Sequence, residues 1–272
     1  MLEYSDWQGY KVSFDDDSFH ICSSWQLQGT PVFGPDSDYT TLAISLLNLM
    51  NSKGIKIDNV TSNETKIDFE VLKIATGIDN LSNGSEWNLI VHEHASLSIS
   101  KSSDVKISNP NGLSEIDAEL YQQINLAWEK ETSIDNVSQG AYISSQQYSE
   151  SLSSRLKLLA QFDQEAIWPP RQLNEDGTVI NHPEVQLNRT CKIESWTKLS
   201  AAGAPSEFSI RAPLLDGIST VYVSFEEGTR GVFLLTDDQN KKPEIGLSGE
   251  IVVRKIYSQE GEIRYGTKVQ LI

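Results

Sequence analysis

Two histidines and one cysteine in the N-terminal half are residues of the types that do chemistry. His92 and His94 lie two positions apart, and on a strand that spacing puts both imidazoles on one face, where they could bind a metal ion. No third ligand is evident, so we predict no metal site. Cys22 follows His20 closely enough for a thiol activated by a base, but we predict a buried thiol that packs as a small apolar group. No catalytic residue is assigned.

Loops that bind phosphate or calcium are not found in the sequence. No glycine-rich phosphate loop of either common spacing follows a predicted strand. The acidic run at residues 15–17 lacks the spaced oxygen ligands and the glycine of a calcium loop, and it is predicted to be a solvated turn. Nucleotide-dependent chemistry is therefore not predicted.

Mixed helix and strand patterns in the N-terminal half indicate an α/β or α+β domain. The segment Asp36-Ser37-Asp38 is predicted to cap a helix with an apolar face, and Gly54 lies just past the end of that helix. A second helix is predicted to open at Ser114. The strands predicted in this half are residues 9–14, 19–27, 67–74 and 87–92.

From Leu187 to the end, short runs of alternating apolar and polar residues are separated by glycine-containing turns. Val221 and Val223, for example, alternate with Tyr222, which is the period of a half-buried strand. This pattern predicts a compact five-stranded β-barrel of the OB type. The strand-like runs are residues 190–199, 207–214, 219–225, 230–235, 250–257 and 263–271.

The chain of 272 residues has a net charge of −16, and this charge is unevenly distributed. From Leu187 onward the numbers of basic and acidic residues are equal, so the excess of acidic residues lies before the predicted barrel. Binding of single-stranded nucleic acid needs a basic groove, so we do not expect it of a barrel without net charge. A local cationic patch could still hold one small anionic ligand.

Cysteine content and the N-terminal sequence bear on location. Cys22 and Cys191 are too few for a disulfide framework, which indicates a reducing compartment such as the cytoplasm. The first six residues are acidic and polar, and the chain has no run of about eighteen apolar residues. We therefore expect a cytoplasmic protein without a membrane span.

Short motifs between Tyr142 and Ile272 follow one another in a particular order. A helix pattern leads to the step Trp168-Pro169-Pro170-Arg171, and the later motifs are residues 193–197, 208–213, 221–228 and 265–269. Their order resembles the acyl-CoA-associated zinc-ribbon/OB-fold family, the partner proteins of thiolases and hydroxymethylglutaryl-CoA synthases. The resemblance implies a helix, a ribbon and an OB-fold barrel, in that order.

The zinc positions of that family do not carry zinc ligands in this chain. The family has a Cys-x-x-Cys pair on each side of the aromatic-Pro-Pro-Arg step. The four corresponding positions are Ala160, Asp163, Asn174 and Gly177. A structural zinc site needs four Cys or His ligands, so we predict a degenerate ribbon without zinc, and a turn at Trp168 that is held by packing.

Three pieces of the N-terminal half, residues 34–49, 88–91 and 136–159, resemble the C-terminal part of thiolase-fold enzymes of the hydroxymethylglutaryl-CoA synthase kind. The resemblance implies a thiolase-like remnant that docks and does not catalyse. The predicted fold class is a two-domain α+β protein. Its parts are an α/β domain (residues 1–140), a linking helix with the degenerate ribbon (141–186) and the OB-fold barrel (187–272).

The resemblance also implies that the barrel contacts coenzyme A, which presents phosphates and an adenine at one end. Cations beside an apolar mouth would bind the phosphates, and an aromatic ring would stack on the adenine. The candidate CoA-binding residues are Arg211, Pro213, Arg230, Trp196 and Phe208, with the Lys241-Lys242 pair as further cations. The alternative is that these arginines and lysines are ordinary surface charges.

An apolar stripe at helical spacing precedes the ribbon. It is formed by Tyr148, Leu152, Leu156 and Leu159. Docking of a partner and packing into an intramolecular core are both open interpretations of this stripe, because the ribbon alone is too small to cover a long helix. With Trp168, these residues are the candidates for partner docking.

The resemblance implies a noncatalytic accessory or scaffold subunit that docks on a thiolase-like or hydroxymethylglutaryl-CoA synthase-like enzyme and helps enclose the CoA ester. It implies no cofactor, with acyl-CoA as the ligand. An OB-fold module that binds single-stranded nucleic acid or an unrelated protein is the alternative. A hydrolase or transferase whose active site lies in the N-terminal half and uses His92, His94 and Cys22 is a third class.

Overall fold

The structure is a computed structural model that describes residues 3–62, 64–81, 85–103, 105, 107–135, 144–171, 173–237 and 241–272. Contacts divide the chain into two compact units. Unit 1 comprises Met1–Glu129 with Val253–Lys255, and unit 2 comprises Lys130–Val252 with Ile256–Ile272. Among the described residues, no helix combines the length and the apolar character needed to cross a membrane. Tyr142, at the start of the resemblance, lies outside the described residues, and so does part of the 136–159 piece.

Unit 1 contains three helices and ten short strands in its described residues. The helices are α1 (Tyr39–Ser52), α2 (Phe69–Thr76) and α3 (Ala118–Thr132), the last of which ends in unit 2. The strands are β1 (Ser5–Trp7), β2 (Tyr10–Phe14), β3 (Ser18–Ser23), β4 (Trp25–Leu27), β5 (Thr30–Val32), β6 (Asn59–Val60), β7 (Asn80–Leu81), β8 (Asn88–His92), β9 (Ser96–Ser100) and β10 (Ser114–Glu115). The main sheet is antiparallel, in the order β1-β2-β3-β9-β8.

Local sequence signals account for the first hairpin and for α1. The predicted hairpin around the acidic turn is confirmed, because β2 pairs antiparallel with β3 from Tyr10 opposite Ser23 to Phe14 opposite Phe19. The predicted cap of α1 is also confirmed, since the Asp38 carboxylate accepts a hydrogen bond from the backbone N–H of Thr41 at 3.0 Å. The apolar face of α1 is buried, as the period of its leucines requires.

One predicted element type and one predicted boundary in unit 1 are wrong. Residues 67–74 were expected to form a buried strand, but α2 occupies this segment. Asp68 caps α2 through the N–H of Val71, and Gly77 ends it with a φ of 78°. A short apolar run does not distinguish a strand from a helix, and these two caps decide for the helix. The helix predicted from Ser114 begins instead at Ala118, because residues 114–115 form β10 beside β4.

Unit 2 contains helix α4 (Ser145–Lys157), a three-stranded ribbon sheet and a barrel. The ribbon strands are β11 (Leu159–Asp163), β12 (Glu165–Ile167) and β13 (Glu184–Gln186), in the order β12-β11-β13. The barrel strands are β14 (Thr190–Leu199), β15 (Ile218–Phe225), β16 (Arg230–Leu235), β17 (Ser248–Gln259) and β18 (Glu262–Leu271). The barrel closes in the order β14-β15-β16-β18-β17, with β16 and β18 parallel. This confirms the five-stranded barrel, and the strand order is that of the OB type.

One predicted barrel strand does not exist. Residues 207–214 begin within a 3₁₀ turn, Ser206–Phe208, and continue as successive turns. The N–H of Ala212 donates to the carbonyl of Phe208 at 2.8 Å, and the N–H of Leu215 donates to the carbonyl of Arg211 at 3.1 Å. Phe208 and Ala212 are buried by this coiling. The alternation of apolar residues therefore reflects a compact turn segment and not an extended strand.

Candidate functional site

The histidine pair considered for metal binding is not arranged as the strand pattern predicts. His92 is the last residue of β8, whereas His94 lies in the following turn with a φ of 60°. The two imidazoles therefore do not share a strand face. Within the described ranges no group of three or more His, Cys, Asp or Glu residues is placed to hold a metal ion. Burial raises the pKa of the Cys22 thiol to about 12, which keeps it protonated and unreactive at neutral pH.

A buried polar chain crosses the main sheet of unit 1. The Ser98 hydroxyl oxygen lies 2.9 Å from His20 Nδ1 and 2.6 Å from His92 Nε2, and Ser18 Oγ lies 3.0 Å from His20 Nε2. Ser98 and His20 are almost fully buried. A hydroxyl between two neutral imidazoles can donate to one and accept from the other. The chain therefore satisfies buried polar groups, and its serine is not accessible to a substrate.

The free energy of unfolding of unit 1 is expected to decrease as the pH falls through the range in which His20 and His92 take up protons. Burial lowers the pKa of His20 and of His92, and the charge of His20 lowers that of His92 further. The unfolded chain, with an ordinary histidine pKa of 6.5, then binds more protons than the folded chain. This contribution is complete above pH 6.5 and is lost as the pH falls through the folded-state values. Urea unfolding between roughly pH 7 and pH 5 measures it.

A double variant, His20→Asn with His92→Gln, is the control for this pH dependence. Asparagine and glutamine keep hydrogen-bonding groups beside Ser98 but do not titrate. The slope of unfolding free energy against pH should therefore be smaller in the double variant than in the parent chain. Equal slopes in the two proteins would show that the histidine chain does not set the acid sensitivity.

The candidate docking stripe is mostly buried within unit 2. Tyr148, Leu152 and Leu156 are at most 6% exposed, and Leu159 lies past the end of α4, in β11. The Tyr148 hydroxyl accepts a hydrogen bond from the N–H of Tyr265 at 2.9 Å, which attaches the helix to β18. The stripe thus packs into the core of its own unit, which is the intramolecular alternative that the sequence left open. These side chains are not displayed on the surface of α4.

Hydrogen bonds hold the chain after the Pro-Pro step against β11. The side chain of Gln161 on β11 accepts from the backbone N–H of Arg171 at 2.9 Å and donates to the carbonyl of the same residue. One buried amide therefore ties the chain after the Pro-Pro step to β11. Trp168 is half-buried and packs against the barrel core. Ala160, Asp163, Asn174 and Gly177 are neither Cys nor His, so these four side chains do not make up a tetrahedral zinc site.

Arg211 belongs to a buried ionic network in unit 2. Its side chain is 1% exposed, and its Nε lies 2.8 Å from the carboxylate of Glu131, which is itself 3% exposed. A terminal nitrogen of Arg211 donates to the carbonyl of Ile256 at 2.7 Å. On the other side, Asp237 approaches Arg211 at 3.9 Å and Lys268 Nζ at 2.7 Å. The Arg211 side chain therefore points into the protein interior, and the neighbouring Phe208 side chain is buried as well.

Two other candidate CoA-binding residues, Arg230 and Pro213, lie on the surface. Arg230 is 54% exposed, and its guanidinium forms an ion pair with Glu194 at 2.9 Å. Pro213 is exposed in the turn segment. Neither residue lines the cleft described below. The structure therefore does not bring the five candidate CoA-binding residues together at one site.

Trp196 does lie at a cleft. This cleft has a volume of about 510 Å³ and opens beside the ends of β14 and β16. Its size falls in the ordinary range for small-molecule sites, ~300–1,000 Å³. Its lining residues are Trp196, Lys198, Leu215, Asp216, Gly217, Ser219, Leu235, Thr236, Asp237, Lys241, Lys242 and Pro243. We call this the barrel cleft.

Backbone geometry at Gly217 shapes one wall of the barrel cleft. Gly217 has a φ of 99°, a conformation that side chains disfavour, and a Cβ at this position would collide with the backbone carbonyl of Leu199. The chain can therefore pass close to β14 only because this residue is glycine. The passage places Asp216 within hydrogen-bonding distance of Lys198, whose Nζ donates to the carboxylate at 2.6 Å.

The electrostatics of the barrel cleft favour an anionic ligand. Lys198, Lys241 and Lys242 are exposed at its edge. The hydrogen bond from Lys198 lowers the pKa of Asp216, and the charges of Lys198 and Lys242 lower it further. The second acid, Asp237, faces Lys268 and Arg211 beneath the cleft. Its charge is therefore compensated from the interior. Because Lys198 is paired with the exposed Asp216, the excess positive charge at the cleft comes from Lys241 and Lys242.

The sequence analysis named Trp196 and the Lys241-Lys242 pair but did not identify the other residues of this cleft. Lys198 could have been found, because residues two apart on a predicted strand share a face, and Trp196 and Lys198 are such a pair. Asp237 and Gly217 gave no comparable signal. Their roles depend on contacts between segments that are distant in sequence.

Comparison with known proteins finds similarity to solved structures only. No protein-family model matches the chain, and no curated protein sequence matches it. Among solved structures the chain is similar to one described as "Ltp2-ChsH2(DUF35) aldolase", with a TM-score of 0.32 and 17% sequence identity. The similarity covers 45% of this chain and 90% of that chain.

Proposed function

We propose that this chain is a noncatalytic accessory subunit that docks on a thiolase-like acyl-CoA enzyme and helps enclose the CoA ester. The observation that carries the proposal is the barrel cleft, with an exposed Trp196 and three lysines at its edge. A solvent-open cleft with this lining suits a ligand that combines anionic groups with a planar ring. The order of helix, ribbon and OB-type barrel in unit 2 supports the same reading.

The polar groups of unit 1 support a noncatalytic role. Its serine-histidine chain is buried, and its cysteine is held protonated by burial. A nucleophile must reach its substrate and be activated by a base or by a lowered pKa. Neither Ser98 nor Cys22 meets both conditions. The chemistry in this proposal therefore belongs to the partner enzyme.

The ribbon offers apolar side chains for docking. Phe162, Leu173 and Val179 are 47%, 54% and 77% exposed, and Leu173 and Val179 are bridged across a hairpin. Exposed apolar residues on one small element are a common feature of interaction surfaces. In this proposal they contact the partner enzyme in place of the buried stripe on α4. Trp168 packs against the barrel core and supports the ribbon through that contact.

Affinity purification of the tagged full chain from its native extract tests this function. We expect a thiolase or an acyl-CoA synthase to co-purify in stoichiometric amount, as identified by mass spectrometry. A variant with Phe162→Ser and Leu173→Ser should lose this enzyme, because the docking contact loses apolar area. The matched control is Val232→Ser on the barrel, since Val232 is 70% exposed and lies outside the ribbon. Recovery of nucleic acid, or of no acyl-CoA enzyme, would contradict the proposal.

A further inference from the structure

We propose that unit 2 contains a binding site for a small organic carboxylate, formed by Arg155, Tyr257 and Arg264. None of these residues lines the barrel cleft, and the inference does not depend on the proposed function. Its carrying observation is a group of buried donors that have no hydrogen-bond partner among the described residues. They are Nε of Arg155, Nε and Nη2 of Arg264, and the hydroxyl of Tyr257. Arginine N–H groups only donate, so only an acceptor can satisfy them.

One anchored ring brings the two arginines together. Arg155 lies on α4 and Arg264 lies on β18, and both guanidinium groups lie over the ring of Tyr148, at 5.3 Å and 4.5 Å from its centroid. The Tyr148 hydroxyl forms hydrogen bonds with the backbone of Tyr265, which fixes the ring against β18. Two cations from distant parts of the sequence therefore meet at one place in unit 2.

Tyr257 on β17 contributes a neutral donor beside these two cations. Its ring packs edge-on against Phe208, with 6.4 Å between the ring centroids, so the side chain is held in place. Burial raises the pKa of Tyr257, whereas the charges of Arg155 and Arg264 lower it, as expected for a phenol close to both guanidinium groups. The net shift is upward, so the phenol is protonated at neutral pH and can donate to a ligand.

The donors of Arg264 without partners indicate the shape of the ligand. Arg264 is 3% exposed, and its Nε and Nη2 share one edge of the planar guanidinium. Two parallel N–H groups on such an edge are the arrangement that binds both oxygens of a carboxylate. Stacking on Tyr148 uses the face of the guanidinium and leaves this edge for hydrogen bonds. A carboxylate has about four lone-pair sites, so it can also accept from Arg155 and Tyr257.

The acidic residues at this site favour a ligand with a single negative charge. Glu262 lies 3.2 Å from Nη1 of Arg264, and Glu260 lies 3.7 Å from Nη2. Their side chains are 68% and 49% exposed, so water weakens both ion pairs. Two arginines beside two glutamates give no excess of positive charge. A phosphate dianion would therefore be repelled more strongly here than a carboxylate.

The way into the site also favours a small ligand. The donor atoms themselves are covered, but the side chains of Arg155 and Tyr257 are only partly buried. Nη2 of Arg155 is held by a long hydrogen bond, 3.4 Å from the carbonyl of Tyr148. A hydrogen bond of this length is weak, so the Arg155 side chain can turn aside. This path suits a carboxylate of a few atoms and does not suit a polymer.

Titration of the purified full chain with acetate, at an ionic strength held constant with chloride, tests the inference. We expect saturable shifts of the arginine Nε–H signals in NMR spectra and a rise in melting temperature. Tyr257→Phe should raise the Kd for acetate about tenfold through the loss of one charge-assisted hydrogen bond. It should not destabilise the unliganded protein, because the hydroxyl has no partner there among the described residues. Tyr222→Phe is the matched control, since Tyr222 is exposed on β15, and its Kd should equal that of the parent chain.

A second variant and a second anion complete the test. Arg264→Lys keeps the positive charge but lacks the parallel N–H groups, so it should raise the Kd about tenfold or more. Its melting curve without ligand shows whether it is folded. Acetate that does not saturate, or that binds Tyr257→Phe and Arg264→Lys as it binds the parent chain, would overturn the inference. Tighter binding of inorganic phosphate than of acetate would also overturn it. These outcomes leave the proposed function to the co-purification experiment.

Discussion

Replacing Arg211 with alanine is expected to lower the free energy of unfolding by about 3–5 kcal/mol, the usual cost of removing one partner from a buried ion pair. Arg211 and Glu131 are 1% and 3% exposed and lie 2.8 Å apart. Without the guanidinium, the buried Glu131 carboxylate loses its ion-pair partner, and burying a carboxylate without a cation is costly whether it stays charged or takes up a proton. The hydrogen bond to the carbonyl of Ile256 is lost as well. Urea unfolding followed by circular dichroism measures the change.

The matched control for this substitution is Arg230→Ala. Arg230 also pairs with a glutamate, at 2.9 Å, but its side chain is 54% exposed. Exposed pairs contribute roughly 0–1 kcal/mol, so this variant should unfold close to the parent chain. If Arg211→Ala is too unstable to purify, Arg211→Lys keeps the charge and gives a smaller loss. A normally stable Arg211→Ala protein that has lost affinity for CoA would instead favour the ligand-binding role that the resemblance implies.

The barrel was the most predictable part of the fold, because its information is local. In β15, for example, Val221 and Val223 are buried in the barrel core and alternate with the exposed Tyr222. The predicted bounds of β14 and β16 agree with the structure. The turn segment before β15 could not be recognised in this way. Its alternation results from burial of Phe208 and Ala212 in a coil, and a period of two does not distinguish that case from a strand.

Contacts between distant segments limited prediction of the candidate site. Arg211 was a candidate ligand because its neighbours in sequence are Ala212 and Pro213, but its ion-pair partner Glu131 is 80 positions away. No local pattern indicates such a pair. Trp196, by contrast, does lie at a cleft. Its indole is about half exposed on β14, so one face of the ring is open to solvent. The sequence thus identified one side of the barrel cleft, and the tertiary fold assembled the rest.

Leu156→Ala is expected to lower the free energy of unfolding by about 2–5 kcal/mol, the range for removing a buried leucine side chain from a core. The Leu156 side chain is fully buried at the end of α4. Its carbonyl accepts a hydrogen bond from Arg189 at 2.9 Å, so the surrounding backbone is held and cannot easily collapse into the cavity. The same urea unfolding experiment measures the loss.

Comparison with an exposed position on the same helix decides between the two interpretations of the apolar stripe. Gln146→Ala changes a surface residue of α4 and should alter stability by no more than about 0.5 kcal/mol. If Leu156 instead served mainly for docking, Leu156→Ala would unfold like Gln146→Ala and would fail to co-purify the partner enzyme. If the core interpretation holds, the loss of stability appears in the isolated protein. In the proposed function, docking would then use exposed side chains of unit 2, such as those of the ribbon.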